Sequence, residues 1–221
     1  MDTTSTTVRL CAEGMRAEAE ADPARAKELF EQAWADARDD YESCVAAHYL
    51  ARHQPTTKDT LDWNERCLAL AERLTAGGDA AAGAVAGFYP SLHANLARDH
   101  RDLGNTEEAL AHYRKAAARM EILPEGAYRD WLTFSVAEGL RCLGAPEATR
   151  NERVGELVEA WCDRRELRAL CLVLPSYYGV LGAGDDRERL ATAVRMLHAE
   201  RRLPRHEQAI LGDVLATLTA T

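Results

Sequence analysis

The feature that most constrains this chain is its punctuation. Breaks bearing Gly or Pro fall at Asp22-Pro23, Gln54-Pro55, Gly77-Gly78-Asp79, Gly104-Asn105, Leu123-Pro124, Gly144-Ala145-Pro146, Gly182-Ala183-Gly184 and Leu203-Pro204. The segments between them run to about 12 to 20 residues, the length of ordinary helices. Most breaks are followed by a capping residue or by an acid suited to a first helical turn. No segment alternates apolar and polar residues with a period of two, the pattern that a half-buried strand needs. Composition agrees. Of 221 residues 40 are Ala, the strongest helix former, and only 6% are aromatic. The expectation is an all-α chain of about ten helices.

Many short helices joined by short turns predict a repeat. The clearest unit is residues 93–116. Its first helix reads His93-x2-Leu96-Ala97-x2-His100, its turn Leu103-Gly104-Asn105, and its second helix Ala109-x3-Tyr113-x2-Ala116. Small residues at Ala97, Ala109 and Ala116 let two helices cross closely, while Leu96 and Tyr113 fill the spaces between them. The second-helix pattern recurs 83 residues earlier as Ala26-x3-Phe30-x2-Ala33, with Leu10, Gly14 and Ala17 at the matching first-helix places. Forty residues later Val136-Ala137-x2-Leu140 and Leu143-Gly144 repeat the first helix and turn. The following helix changes register to a stripe of Val154, Leu157, Val158 and Trp161.

These units resemble the tetratricopeptide repeat (TPR), and the chain is similar to small bacterial TPR-like proteins in segments such as His48-Tyr49-Leu50-Ala51-Arg52 and Gly87-Phe88-Tyr89-Pro90. The resemblance implies an α-solenoid of about five antiparallel helix pairs in a right-handed superhelical stack. It covers residues 8–160, with residues 161–221 as divergent capping helices of one single domain. It also implies a non-enzymatic scaffold or adaptor that holds a protein or peptide in a concave groove lined by the first helix of each pair.

The candidate binding residues lie in two stretches. On the central repeat, Ala94, Asn95, Arg98 and Arg101 are expected to face the groove, where Asn and Arg three residues apart share a helical face. Such a pair can hold a carboxylate or a peptide backbone. In residues 44–54, Cys44, His48 and Arg52 form one row at four-residue spacing, and Tyr49 and His53 form another beside it. With Tyr89 and His93, this stretch offers a second reading: a polar inter-helix pocket for a small molecule or for catalysis. Helix–helix hydrogen bonds and solvated charge explain the same residues.

The formal charge is −9. That acidic balance argues against a direct nucleic-acid partner, which usually meets a basic face. The six cysteines, Cys11, Cys44, Cys67, Cys142, Cys162 and Cys171, are widely and irregularly spaced. They read as small apolar core residues in a reducing compartment. Cys44 and His48 are spaced to bite a metal on one helix, but a site would need further ligands from elsewhere, so no metal or cofactor is expected. Residues 1–9 lack the basic and apolar regions of a leader, and the longest apolar run, residues 169–174, is too short to span a bilayer. The expectation is a cytoplasmic protein, and the apolar run near Tyr177 and Tyr178 offers a face for a homodimer.

Overall fold

The computed structural model describes residues 5–77 and 81–220. The first residues of the N-terminal stretch and part of the Gly77-Gly78-Asp79 break lie outside them. Among the described residues there are twelve α-helices and no strand. Their contacts gather into two compact units, Met1–Pro124 and Glu125–Thr221.

The N-terminal unit holds α1 (Thr6–Ala19), α2 (Pro23–Asp36), α3 (Asp40–Leu50), α4 (Thr57–Ala76), α5 (Ala81–Ala86), α6 (Tyr89–Asp102) and α7 (Thr106–Ala117). A one-turn 3-10 segment, Ala51–His53, extends α3. Helix pairs α1–α2, α3–α4 and α6–α7 form hairpins, and α3 and α6 pack on the hairpins before them. Helix starts are capped as the sequence predicts. Asp22 accepts from Arg25 N, Asp39 from Glu42 N and Thr56 from Asp59 N. The hairpins cross on small residues: Ala26, Ala33, Ala97, Ala109 and Ala116 have no exposed surface. At Gly14 the approach is closest, since a β-carbon there would stand 2.4 Å from Phe30 Cε1. A second cluster joins α3 to α4 through Cys44, Ala47, Cys67, Leu70 and Ala71, with Trp34 and Trp63 edge to face at 4.8 Å on its flank.

The C-terminal unit holds α8 (Ala127–Cys142), α9 (Glu152–Asp163), α10 (Leu167–Tyr178), α11 (Asp186–Glu200) and α12 (Arg205–Thr219). Its core is built from Val154, Leu157 and Trp161 of α9, Leu170 and Val173 of α10, Leu190, Val194 and Leu197 of α11, and Leu211 and Val214 of α12. The α9 stripe read from the sequence is the buried one. Buried charge is paired. Glu207 accepts from Trp161 Nε1 at 2.9 Å and forms an ion pair with Arg164. Asp186 accepts the backbone N–H groups of Leu181, Gly182 and Ala183. Asp39 and Asp186 thus act at the starts of α3 and α11.

One turn recurs. The Asp22 N–H donates to the Ala17 carbonyl at 2.9 Å, Asn105 to His100 at 2.8 Å, Ala145 to Leu140 at 2.9 Å and Glu166 to Trp161 at 2.8 Å. The residue before each donor is left-handed: Ala21 at φ 60°, Gly104 at 81°, Gly144 at 73° and Arg165 at 60°. This is the helix-ending geometry in which glycine is favoured. The first three examples fall at the 83- and 40-residue offsets of the sequence repeat.

Two expectations need correction. Among the described residues helices number twelve rather than about ten, because α2 ends at Asp36, α5 at Ala86 and α9 at Asp163, where the sequence showed no break. Cys142, Cys162 and Cys171 are exposed rather than core residues; Cys11, Cys44 and Cys67 are buried. A cysteine's preference for burial yields to the helical phase that its neighbours impose. No helix among the described residues is long and apolar enough to cross a membrane.

Candidate functional site

The end of α3 places its two rows of side chains differently. Tyr49 stacks on Phe30 with ring centres 5.3 Å apart, and His53 packs on the same ring at 5.2 Å. The two share a face, as their spacing requires. Arg52 swings outward: its Nη2 donates to both carboxylate oxygens of Glu18, at 3.0 and 2.8 Å, and its guanidinium lies over Tyr49. His53 Nε2 is 2.9 Å from the same carboxylate. His48 turns inward against Phe88 and Tyr49. Its Nδ1 is buried without a hydrogen-bond partner among the described residues. Burial, and then the charge of Arg52, push its pKa down to about 4, so the ring is neutral near pH 7.

The α6–α7 hairpin carries a second polar cluster. Tyr89 opens α6, with its hydroxyl 2.9 Å from Thr75 Oγ1 and Arg119 over its ring. One turn on, buried His93 places Nδ1 3.1 Å from Nδ1 of His112. One of these nitrogens donates and the other accepts, so the two rings hold opposite tautomers. His112 stacks on His100, whose Nδ1 faces the Asn105 amide at 3.3 Å. Burial first, then nearby positive groups including Lys115, push His93 and His112 down to about 4.

On the outer side of α6, Arg98 Nη2 donates to Asn95 Oδ1 at 2.9 Å, so these two share a face as predicted. Arg101 is held by Asp102 at 3.0 and 2.9 Å and reaches the Tyr113 hydroxyl at 3.5 Å. Ala94, expected to face the groove, is buried. On the inner side, buried Asp99 accepts from Asn64 Nδ2 of α4 at 2.7 Å, and burial raises its pKa.

Eight of the predicted polar residues therefore belong to three sets of contacts: His48, Tyr49 and Arg52 around Phe30, Phe88 and Glu18; Tyr89 and His93 around Thr75 and His112; Asn95, Arg98 and Arg101 along the outer face of α6. His48 packs on Phe88, the residue before Tyr89, which links the first two sets. Glu18, His112, Thr75 and Arg119 were missed. One of them had a signal: Glu18 is the 83-residue counterpart of Arg101.

The C-terminal unit offers a different surface. Two adjoining cavities of about 530 and 510 Å³ lie along α10 and α11 and share Leu172 and Met196. None of the eight residues lines them. Arg168 and Glu200 form a bidentate ion pair at the rim, at 2.9 and 2.6 Å. Among the described residues, no group of three or more His, Cys, Asp or Glu is placed to hold a metal ion. No family model, curated protein or solved structure matches the chain.

Proposed function

We propose that this chain is a TPR-like helical-repeat scaffold that binds an acidic protein or peptide segment along the first helices of its hairpins. The reading rests chiefly on α6. One face of that helix is buried through Leu92, Leu96 and Ala97, while the other presents Asn95, Arg98 and Arg101 in a row. The recurring helix-ending turn, at the offsets of the sequence repeat, supports the repeat architecture. Among the described residues Arg98 donates to the neutral amide of Asn95 in that row, and its guanidinium can turn to a carboxylate in a charge-assisted bond. Arg101 would exchange part of its bond to Asp102 for the ligand.

The test is fluorescence anisotropy with labelled acidic peptides, against their amidated Asn/Gln counterparts, at low and moderate salt. The expected result is saturable binding of the acidic peptides that weakens with salt. Arg98→Ala with Arg101→Ala should lower affinity roughly tenfold or more, the scale of losing one or two charge-assisted bonds. Equal binding by the double variant overturns this surface as the site.

A further inference from the structure

The α3–α4 hairpin brings two thiols together that the sequence keeps 23 residues apart. Cys44 Sγ lies 3.6 Å from Cys67 Sγ, inside the core and with no exposed surface on either residue. Each sulfur also faces the other residue's carbonyl, Cys67 Sγ to Cys44 O at 3.3 Å and Cys44 Sγ to Cys67 O at 3.6 Å. The two residues are thus directly opposed across the hairpin. Small neighbours, Ala47 and Ala71, let the helices approach there.

The two sulfurs are not equivalent. The bond from Cys67 holds the Cys44 thiol below its ordinary pKa, against burial and the charge of Asp40, while the same bond and burial push Cys67 well up. Cys11 shows what burial does by itself: its thiol is pushed up to about 12. Thiolate character, not the thiol, governs reaction with oxidants.

We propose that Cys44 and Cys67 are an oxidation site, a dithiol that a hydroperoxide closes to a disulfide. Cys44 gives up its proton and the thiolate attacks the terminal peroxide oxygen; the S–O bond of a sulfenic acid forms, the O–O bond breaks, and the leaving hydroxide or alkoxide takes up that proton as water or an alcohol. Cys67 sulfur then attacks the sulfenic sulfur of Cys44. The S–S bond forms, the S–O bond breaks, and the Cys67 proton leaves with the second hydroxide as water. Two thiols lose two electrons and the peroxide gains them. The bond would staple α3 to α4. Access to the buried pair requires local opening of the hairpin, so the reaction is slower than at a surface thiol but ends in a crosslink.

The test uses the full chain with the three exposed cysteines replaced, Cys142→Ser, Cys162→Ser and Cys171→Ser, titrated with hydrogen peroxide. Expected are a mass loss of about 2 Da, a Cys44–Cys67 crosslinked peptide in a non-reducing digest, and free Cys11. The crosslinked protein should melt about 5 °C or more higher, and dithiothreitol should reverse both changes. Adding Cys44→Ser or Cys67→Ser should abolish the crosslink and the melting shift. If either variant fails to fold, the digest of the chain that keeps both thiols decides. The proposal is overturned if Cys44 and Cys67 stay free under peroxide that oxidises the exposed cysteines of the unsubstituted chain, or if they gain oxygen without crosslinking.

Discussion

Beside its leucines the N-terminal unit buries many Ala and Cys and several polar residues, whereas the buried set of the C-terminal unit is mostly Leu and Val with a tryptophan. Thr7, Asn64, Ser91, His93 and Asp99 are buried in the first. In the second the buried polar residues are Asp186 and Glu207, each held by ionic or backbone partners. Close helix crossings on Ala and Gly leave little apolar area per residue, so hydrogen bonds and neutral imidazoles fill the seams. Branched side chains provide area, and the buried charge is confined to a few fully bonded carboxylates. The difference teaches that one pH change acts on the two units through different groups.

That contrast gives the largest predicted effect. His48, His93 and His112 titrate near 4 in the folded unit against 6.5 for the free side chain. As pH falls from 6.5 toward 4, the unfolded chain binds protons that the folded unit refuses, and stability is lost over that window. Asp99 works the other way, since its raised pKa lets the folded state take a proton first. In the C-terminal unit burial would raise Glu207, but the bonds from Arg164 and Trp161 outweigh it and the net shift is downward. Its contribution is therefore lost only as pH falls from 4.5 through the lowered folded value. Hydrogen exchange by mass spectrometry at pH 7 and pH 5, corrected for intrinsic rates, should show the N-terminal unit losing on the order of 4 kcal/mol of protection. The C-terminal unit should change little. Equal loss in both units breaks the comparison.

Next is the buried carboxylate. Glu207→Ala strands the Trp161 N–H and removes the partner of Arg164, and should cost about 3 kcal/mol in urea unfolding of the C-terminal unit. Glu207→Gln keeps an acceptor for Trp161 and should cost roughly half as much. An unmoved midpoint for the alanine variant would show that the ion pair contributes no net stability.

How far the fold was legible follows from these seams. Phe30, Ala33, Ala97 and Tyr113 sat where the spacing placed them, because close crossings demand a small residue at a fixed phase. Rows such as Tyr49 with His53, or Asn95 with Arg98, were legible for the same reason. The partners across a seam were not. Glu18 meeting Arg52, Asn64 meeting Asp99 and Cys44 meeting Cys67 depend on how one helix docks on another, which no single-helix pattern specifies. The α9–α10 turn escaped notice because Arg165, not Gly, takes its left-handed position.

Two glycines sharpen the comparison at smaller scale. Gly14→Ala drives a methyl into three ring atoms of Phe30, which is itself pinned by Tyr49 and His53. It should cost about 2 kcal/mol in the N-terminal unit. Gly155→Ala on α9 meets only the tip of Tyr177, at 2.7 Å from its hydroxyl, which can give way. Helix propensity then offsets the contact, and a change below about 0.5 kcal/mol is expected. Reversal of that order would place the tighter packing in the C-terminal unit. Smallest of all, Ala21→Gly and Arg165→Gly relieve a left-handed side chain in each unit. Each should raise the melting temperature by a few degrees or less, about 0.5 kcal/mol after the entropy of glycine is counted.

The tryptophans turn this asymmetry into a signal. Trp34 and Trp63 stand edge to face in the N-terminal unit, close enough for their transitions to couple in near-ultraviolet circular dichroism. In the C-terminal unit Trp161 is sealed from solvent with its N–H on a carboxylate, while Trp131 is open to it. Loss of the coupled band reports melting of the first unit. In a Trp131→Phe background, a red shift of emission that outlasts this loss reports the second. The chain thus carries an intrinsic optical readout for each half, and a bound peptide, an oxidant or a drop in pH can be assigned to the half on which it acts without any added label.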